Sequence, residues 1–246
     1  MSGEDYHVGV EDRGPVRILT LDRPAKLNAF TADGYRRLTE RLAAAAAEPA
    51  VVVTVITGAG RAFCAGVDLG VAGRPGAGAE LSAAFDPLID TLVAFPKPLL
   101  AAVNGPAVGF GATLLLHCDV VVVDETAMIR LPFVPLGTSA EAGSSWLLAG
   151  RVGPAQAAWM ILSGEAFDAS TAVAAGFALR QAPAGRARAE TLVLADRLGA
   201  LPPAALAANK ALLQHGRAEQ VAAASRRERA AAGALAAELG SLGWDR

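Results

Sequence analysis

The sequence predicts an α/β fold, a parallel sheet with helical crossovers followed by a helical carboxy-terminal region. Three observations carry that prediction. Short runs of β-branched and aliphatic residues recur at residues 16–21, 51–57, 99–103 and 119–123. Helically patterned segments separate them, which suits parallel strands joined by crossovers and not an antiparallel sandwich. Beyond about Gly143 the composition turns Ala- and Leu-rich and reads as successive helices.

Taken in order, residues 16–21 are the first expected strand, and Pro24 bounds the turn that follows. Thr31 is placed to cap a helix with Tyr35, Leu38 and Leu42 on one face. Residues 51–57 are too apolar for a half-exposed strand, so this strand is expected to be covered on both faces. Gly58, Gly60 and Gly66 then break the chain into a loop. Residues 70–78, with Gly and Pro, are expected to be mobile and to lead into a helix near 80–94 that Pro96 and Pro98 end. A buried strand at 99–103, an Asn104-Gly105-Pro106 turn, a helix at 109–116 and a strand at 119–123 complete the repeating part. Helices are expected near 144–149, 154–162, 169–175, 188–198, 204–214 and 218–239, several opened by Pro, Asp or Ser. Alanine-rich helices offer little side-chain volume, so packing against another subunit is expected to add to their stability.

At 246 residues and 53% hydrophobic composition the chain suits one large core, with or without a small helical appendage, and not two independent domains. A net charge of −2 gives no general pull toward nucleic acid or an anionic membrane. Two cysteines in apolar surroundings, Cys64 and Cys118, read as packing residues in a reducing compartment. The amino terminus lacks the apolar stretch of a secretory signal, and no run approaches the roughly 20 apolar residues that span a bilayer. A soluble, cytoplasmic protein is therefore expected. No His, Cys and carboxylate spacing suits a metal, and no Ser-His-Asp arrangement is evident. His117, inside an apolar helix, reads as a buried and satisfied residue, while His7 and His215 lie away from other chemical signals.

Two glycine-containing segments stand out, residues 56–69 (ITGAGRAFCAGVDL) and 101–119 (AAVNGPAVGFGATLLLHCD). Each follows a buried strand, and the second opens a helix, so both can turn backbone N–H groups into a cavity. Two such donors make an oxyanion hole. Taken singly, these glycines need mean no more than tight turns. Neither segment is a dinucleotide-binding or P-loop fingerprint.

Together with RPAKLNAF (23–30), PLLAAVNGPAVGFG (98–111), LPFVPLG (131–137), SGEAFDASTAVAAGFA (163–178) and ANKALL, these segments resemble the crotonase, or enoyl-CoA hydratase/isomerase, superfamily in wording and order. Only the last helix matches weakly. The resemblance implies a crotonase-like spiral of repeated ββα units over residues 1–190. Residues 191–246 would be a helical oligomerisation region, giving a homotrimer or a dimer of trimers. It also implies an acyl-CoA thioester substrate whose carbonyl is held by the backbone amides of Val67 and Phe110. The CoA portion would lie at Ala25, Lys26 and Leu27 and near Ala65 and Asp68. Lys26 reads equally as a solvated lysine, Asp68 as a structural or helix-capping acid, and Arg226, Arg227 and Arg229 as a solvated helix face. No metal or redox cofactor is expected, CoA being part of the substrate.

The hydratases of this family use two glutamates. At the matching positions this sequence has Thr113 and Phe133, neither suited to proton transfer at neutral pH. The chain instead offers Glu141, in TSAEAGSS, which resembles the context of the single catalytic glutamate of the peroxisomal-type Δ3,Δ2-enoyl-CoA isomerases. Taken alone, Glu141 reads as a surface or capping acid; the resemblance makes it the base. The expected activity is therefore a shift of a 3-enoyl-CoA double bond to 2-enoyl-CoA through an enolate. A hydratase with atypical residues, or a non-catalytic acyl-CoA-binding oligomer, are the alternatives.

Overall fold

The computed structural model describes residues 6–72 and 76–241. It opens with an antiparallel hairpin of β1 (His7–Arg13) and β2 (Val16–Asp22). β1 was not expected: most of its side chains are exposed, so its strand form rests on a full ladder with β2 and not on a hydrophobic pattern. After a 3-10 turn at Pro24–Lys26 comes α1 (Ala32–Ala47), whose first turn is capped as expected, Gly34 N–H donating to Thr31 Oγ1 at 3.2 Å. Tyr35, Leu38 and Leu42 are all buried on its inner face.

Next are β3 (Val53–Gly58), α2 (Leu69–Ala72), α3 (Ala77–Ala94), β4 (Leu99–Val103), β5 (Ala107–Val108), α4 (Phe110–Leu115), β6 (Val120–Asp124) and β7 (Met128–Arg130). Part of the stretch expected to be mobile, 70–78, is thus helical in α2 and α3; residues 73–75 lie outside the described residues. The chain ends in α5 (Ser144–Val152), α6 (Pro154–Ser163), β8 (Ala166–Asp168), α7 (Ala169–Ala174), β9 (Arg180–Ala182), α8 (Ala187–Gly199), α9 (Pro203–Leu213) and α10 (Arg217–Ser241). The six expected helices are present, but β8 and β9 interrupt what was expected to be wholly helical. Each has three residues, too few for alternation to register in sequence.

A six-stranded sheet has the order β1-β2-β3-β4-β6-β9, parallel from β2 onward. A second sheet, β5-β7-β8, lies apart from it. The period-2 geometry of strands explains why the large sheet is apolar on both faces. Val53, Val55, Leu100 and Ala102 pack against Leu192 and Ala195 of α8. Their neighbours Ile56, Leu99, Ala101, Val121 and Val123 join the main core with α1, α3 and the second sheet. The expected boundary at residue 190 falls inside α8, which covers this sheet. α9 is tied on by Lys210, which reaches Asp119 at 2.8 Å and the Lys97 carbonyl at 2.7 Å. Among the described residues no single helix is long and apolar enough to cross a membrane.

Candidate active site

The loop after β3 runs between Phe30 and β5 as an additional extended segment. Phe30 bridges Val67 and Cys64 bridges Ala107. Main-chain bonds fix both sides: Phe30 N–H to Gly66 O at 2.7 Å, Asp68 N–H to Phe30 O at 2.8 Å and Val108 N–H to Cys64 O at 2.9 Å. In this register the Val67 N–H faces away from Phe30. The Phe110 N–H is the first of α4 and has no partner inside the helix. Neither amide donates to an acceptor among the described residues.

The two amides are brought together by close glycine contact. A Cβ on Gly66 would stand 3.5 Å from the Phe110 nitrogen and 2.8 Å from Val108 O, and Gly66 has φ +92°. Only glycine allows that approach and that backbone conformation. At its far end α4 is closed by guanidinium groups: Arg151 donates to Cys118 O at 2.6 Å and Arg217 to Leu116 O at 3.0 Å. Cations there complement the carbonyl end of the helix.

The Ala25, Lys26 and Leu27 turn is anchored by Asn28, fully buried. Its Nδ2 donates to the carbonyls of Ala59, Ala62 and Phe63, and its Oδ1 accepts from Arg23 N–H. Ala25 and Lys26 are exposed, Leu27 and Ala65 half-buried. Lys26 forms no ion pair among the described residues and borders an open cleft of about 370 Å³ with Arg23, Arg36, Asp68 and Leu81. That cleft lies on the Lys26 side of the molecule; Glu141 is not among its lining residues. Asp68 is committed to structure: Oδ2 pairs with Arg23 at 2.7 Å and Oδ1 accepts from Gly70 N–H at 3.0 Å. Although partial burial opposes it, this pairing holds the Asp68 carboxyl below its usual range. Arg229 pairs with Asp86 of α3 at 2.6 Å, within the chain.

Phe110, 1% exposed, meets Phe30, Tyr35 and Phe85 edge-on with ring centroids 5.1–5.2 Å apart. The charge of Glu141 is felt at Tyr35 of this cluster and at Cys64. The Glu141 charge adds to burial in raising the Tyr35 hydroxyl well above its usual pKa, and it adds to burial in pushing the Cys64 thiol up to about 12. Glu141 is itself pushed up to about 7, first by burial and then by the charge of Glu228. Its flanking residues Ala140 and Ala142 pack into the main core. A carboxylate with that affinity is half-ionised near neutral pH and can both take and return a proton.

Of the other positions, Thr113 is fully buried with its hydroxyl turned to the Phe110 carbonyl at 3.3 Å, and Phe133 is buried in the core. Cys64 and Cys118 are buried thiols held near 12 by burial, as befits packing residues. His117 is buried and satisfied, its Nε2–H donating to Ala142 O at 2.9 Å; burial and Arg217 push it down to about 3. It thereby holds the Glu141 loop, as does Glu228, whose carboxylate accepts from Gly143 and Ser145 N–H at 2.8 Å each. Sequence reasoning missed Asn28, Glu228 and this role of His117. The one available signal was a glutamate seven residues after Val221 on the buried face of α10.

A family model described as enoyl-CoA hydratase/isomerase matches residues 11–238. The chain is 39% identical over 214 residues to the 2,3-dehydroadipyl-CoA hydratase of Escherichia coli, covering 87% of this chain and 84% of that protein. It is 34% identical over 230 residues to enoyl-CoA delta isomerase 2 of Rattus norvegicus, covering 92% of this chain and 59% of the rat protein. A crystal structure of an enoyl-CoA hydratase/isomerase from Pseudoalteromonas atlantica superposes with a TM-score of 0.87 at 31% identity, covering 94% of this chain and 91% of that one. The crotonase-like α/β fold expected from the motifs is the fold observed.

Proposed function

The chain belongs to the enoyl-CoA hydratase/isomerase family, and within it we propose that this member is an isomerase that moves a 3-enoyl-CoA double bond to the 2-position. The observation that carries this reading is a single carboxylate of raised proton affinity, Glu141. The positions that resemble the two hydratase glutamates hold a tied threonine, Thr113, and a phenylalanine, Phe133.

In the proposed reaction the thioester oxygen accepts hydrogen bonds from the Val67 and Phe110 amides. Glu141 removes a proton from carbon 2, and the C2–H electron pair delocalises into a dienolate whose charge rests largely on that oxygen. Each donor contributes roughly 2.7–4 kcal/mol to the charged state. Reprotonation at carbon 4 by the same carboxyl returns the enzyme to its starting form and leaves the double bond between carbons 2 and 3. No electrons leave the substrate and no water is added, so no redox group or second carboxylate is needed. Ala25, Lys26 and Leu27 are proposed to meet the CoA portion, with Lys26 toward phosphate and Ala65 at the pocket edge. Exposed Trp159, Leu162, Leu212 and Leu213 on α6 and α9 support the proposal of a homotrimer or a dimer of trimers.

The test is conversion of trans-3-hexenoyl-CoA, with hydration of crotonyl-CoA followed in parallel. Glu141→Gln is expected to lower isomerisation about 10²–10⁴-fold, the usual contribution of a general base, while ester binding persists. The 39% identity to a protein named as a hydratase keeps one rival reading: crotonyl-CoA hydration that survives in Glu141→Gln would favour it and remove the role given to Glu141.

A further inference from the structure

We infer that Glu228, on the carboxy-terminal helix α10, is a positioning residue for the base, holding the turn that carries Glu141 and setting one negative charge beside it; this rests on Glu141 being the base.

The turn closes on itself through Ser144 N–H to Glu141 O at 2.9 Å and is further held from outside. Ala142 and Gly143 are consecutive residues at positive φ, +59° and +71°, a conformation that is strained for a residue with a β-carbon. Two N–H groups of the turn converge on the Glu228 carboxylate: Oε2 accepts from Gly143 N–H and Oε1 from Ser145 N–H, both at 2.8 Å. Ser139 Oγ donates to the Glu228 main-chain carbonyl at 2.9 Å, so one residue of α10 grips the turn on both sides of Glu141.

Glu228 is 6% exposed, and Val221 and Ala224 are buried on the same face of α10. The packing leaves no slack, since a Cβ on Gly143 would meet Val221 Cγ1 at 2.7 Å. A solvated capping acid would not be enclosed in this way. The enclosed Glu228 charge lies beside the turn, and the charge of Glu141 is felt at Tyr35 and Cys64.

Among the described residues, the titratable groups that bear on Glu141 and its turn include Tyr35 of α1, Cys64 after β3, His117 after α4 and Glu228 of α10. Burial keeps Tyr35 and Cys64 protonated near neutral pH, and His117 neutral. Arg217 of α10 donates to His117 Nδ1 at 3.4 Å and to Leu116 O, so its charge is engaged at the end of α4. Burial raises Glu141 first, and of these groups Glu228 supplies the like charge that adds to it.

The experiment compares wild type, Glu141→Gln and Glu228→Gln by the pH dependence of kcat/KM for trans-3-hexenoyl-CoA. In parallel, 13C NMR of protein labelled at the glutamate carboxyl carbon reads Glu141 directly, its signal identified by its loss in Glu141→Gln. In Glu228→Gln the acid limb and the Glu141 titration are both expected to move to lower pH. The kcat should fall about 10- to 100-fold, the scale of a displaced catalytic group, with KM unchanged. A wild-type titration of Glu141 in Glu228→Gln, or a variant that loses thermal stability alone, would overturn the inference. Should Glu228→Gln not fold, Glu228→Asp keeps the charge but draws it back by one methylene: a lowered kcat at constant KM supports the positioning role, and a wild-type kcat overturns it. Isomerisation retained by Glu141→Gln would instead sink the proposed reaction, whatever Glu228 does to the NMR titration.

Discussion

Gly66 and Gly143 both sit at positive φ within two residues of a candidate-site residue, Val67 and Glu141 respectively, yet what crowds them differs. Beside Gly66 the nearest atom to an added Cβ is a main-chain oxygen, Val108 O at 2.8 Å; beside Gly143 it is a side-chain methyl, Val221 Cγ1 at 2.7 Å. The same contrast runs through the two regions. Residues 64–67 and 107–110 are held by backbone bonds between neighbouring extended segments. Residues 139–145 are held by the side chains of His117 and Glu228, reaching in from other elements. One region is therefore tolerant of side-chain change wherever the backbone is left alone, while the other depends on particular side chains far away in sequence.

The largest effect expected from this contrast is that of Gly66→Ala. A main-chain oxygen cannot step aside without moving β5 and the Phe110 amide with it, so kcat for the 3-enoyl ester should drop about 10²–10³-fold, as for loss of one oxyanion donor. Steady-state kinetics beside a thermal melt would check it; wild-type kcat would mean that the Val67 and Phe110 amides do not act as a pair.

Next in size is a stability effect at Glu141. Its folded-state pKa, about 7, lies above its ordinary value of 4.5. The protonated side chain is accommodated without penalty below about pH 4.5, and that stability is lost as the pH rises through 7 and the buried group ionises. Glu141→Gln, which cannot ionise, should gain on wild type between pH 5 and pH 8. The gain should be of order 1–3 kcal/mol, because Glu141 is not wholly enclosed and solvent screens part of the cost. Denaturant melts at the two pH values read this difference directly, and a gain that does not grow with pH would contradict the raised pKa.

Gly143→Ala should cost less than Gly66→Ala. Strain at φ +71° and the clash with Val221 predict a loss of about 1–2 kcal/mol, part of it recovered in the double variant with Val221→Ala. No recovery would show that the backbone and not the side chain sets the cost there. Smallest of all is Lys26→Ala, an exposed change expected to raise KM for CoA esters about two- to fivefold through a rim charge, with kcat intact. A matched pantetheine ester, which lacks the nucleotide phosphates, should be insensitive to it.

How far the site could be read from sequence follows the same division. Val67 and Phe110 were singled out by the resemblance of their motifs to the family's, and the glycines beside them lie in continuous segments joined to strands. Thr31 as a cap, and Cys64 and Cys118 as packing residues, were equally legible because local chemistry decides them. Glu141 was legible as a carboxylate in a suggestive context, but its proton affinity was not. Asn28 lay in plain view inside RPAKLNAF, yet its three carbonyl partners at 59, 62 and 63 come from another loop. β1, β8 and β9 escaped notice because a short or polar strand takes its form from the ladder it joins.

By itself, then, the sequence determined the order of buried strands and helices, the glycine loops and the lack of hydratase-type glutamates at residues 113 and 133. The strands, helices and glycine loops are matters of composition, periodicity and local spacing, which a linear chain carries openly; the missing glutamates are read from the resemblance to the family's motifs. Only the tertiary structure decided that α8 closes the outer face of the large sheet and that α10 returns to the turn of Glu141. It also set a second, buried carboxylate, Glu228, beside that turn. Burial and charge proximity depend on which distant segments meet, and for residues 141 and 228 that meeting is set by packing of the whole core.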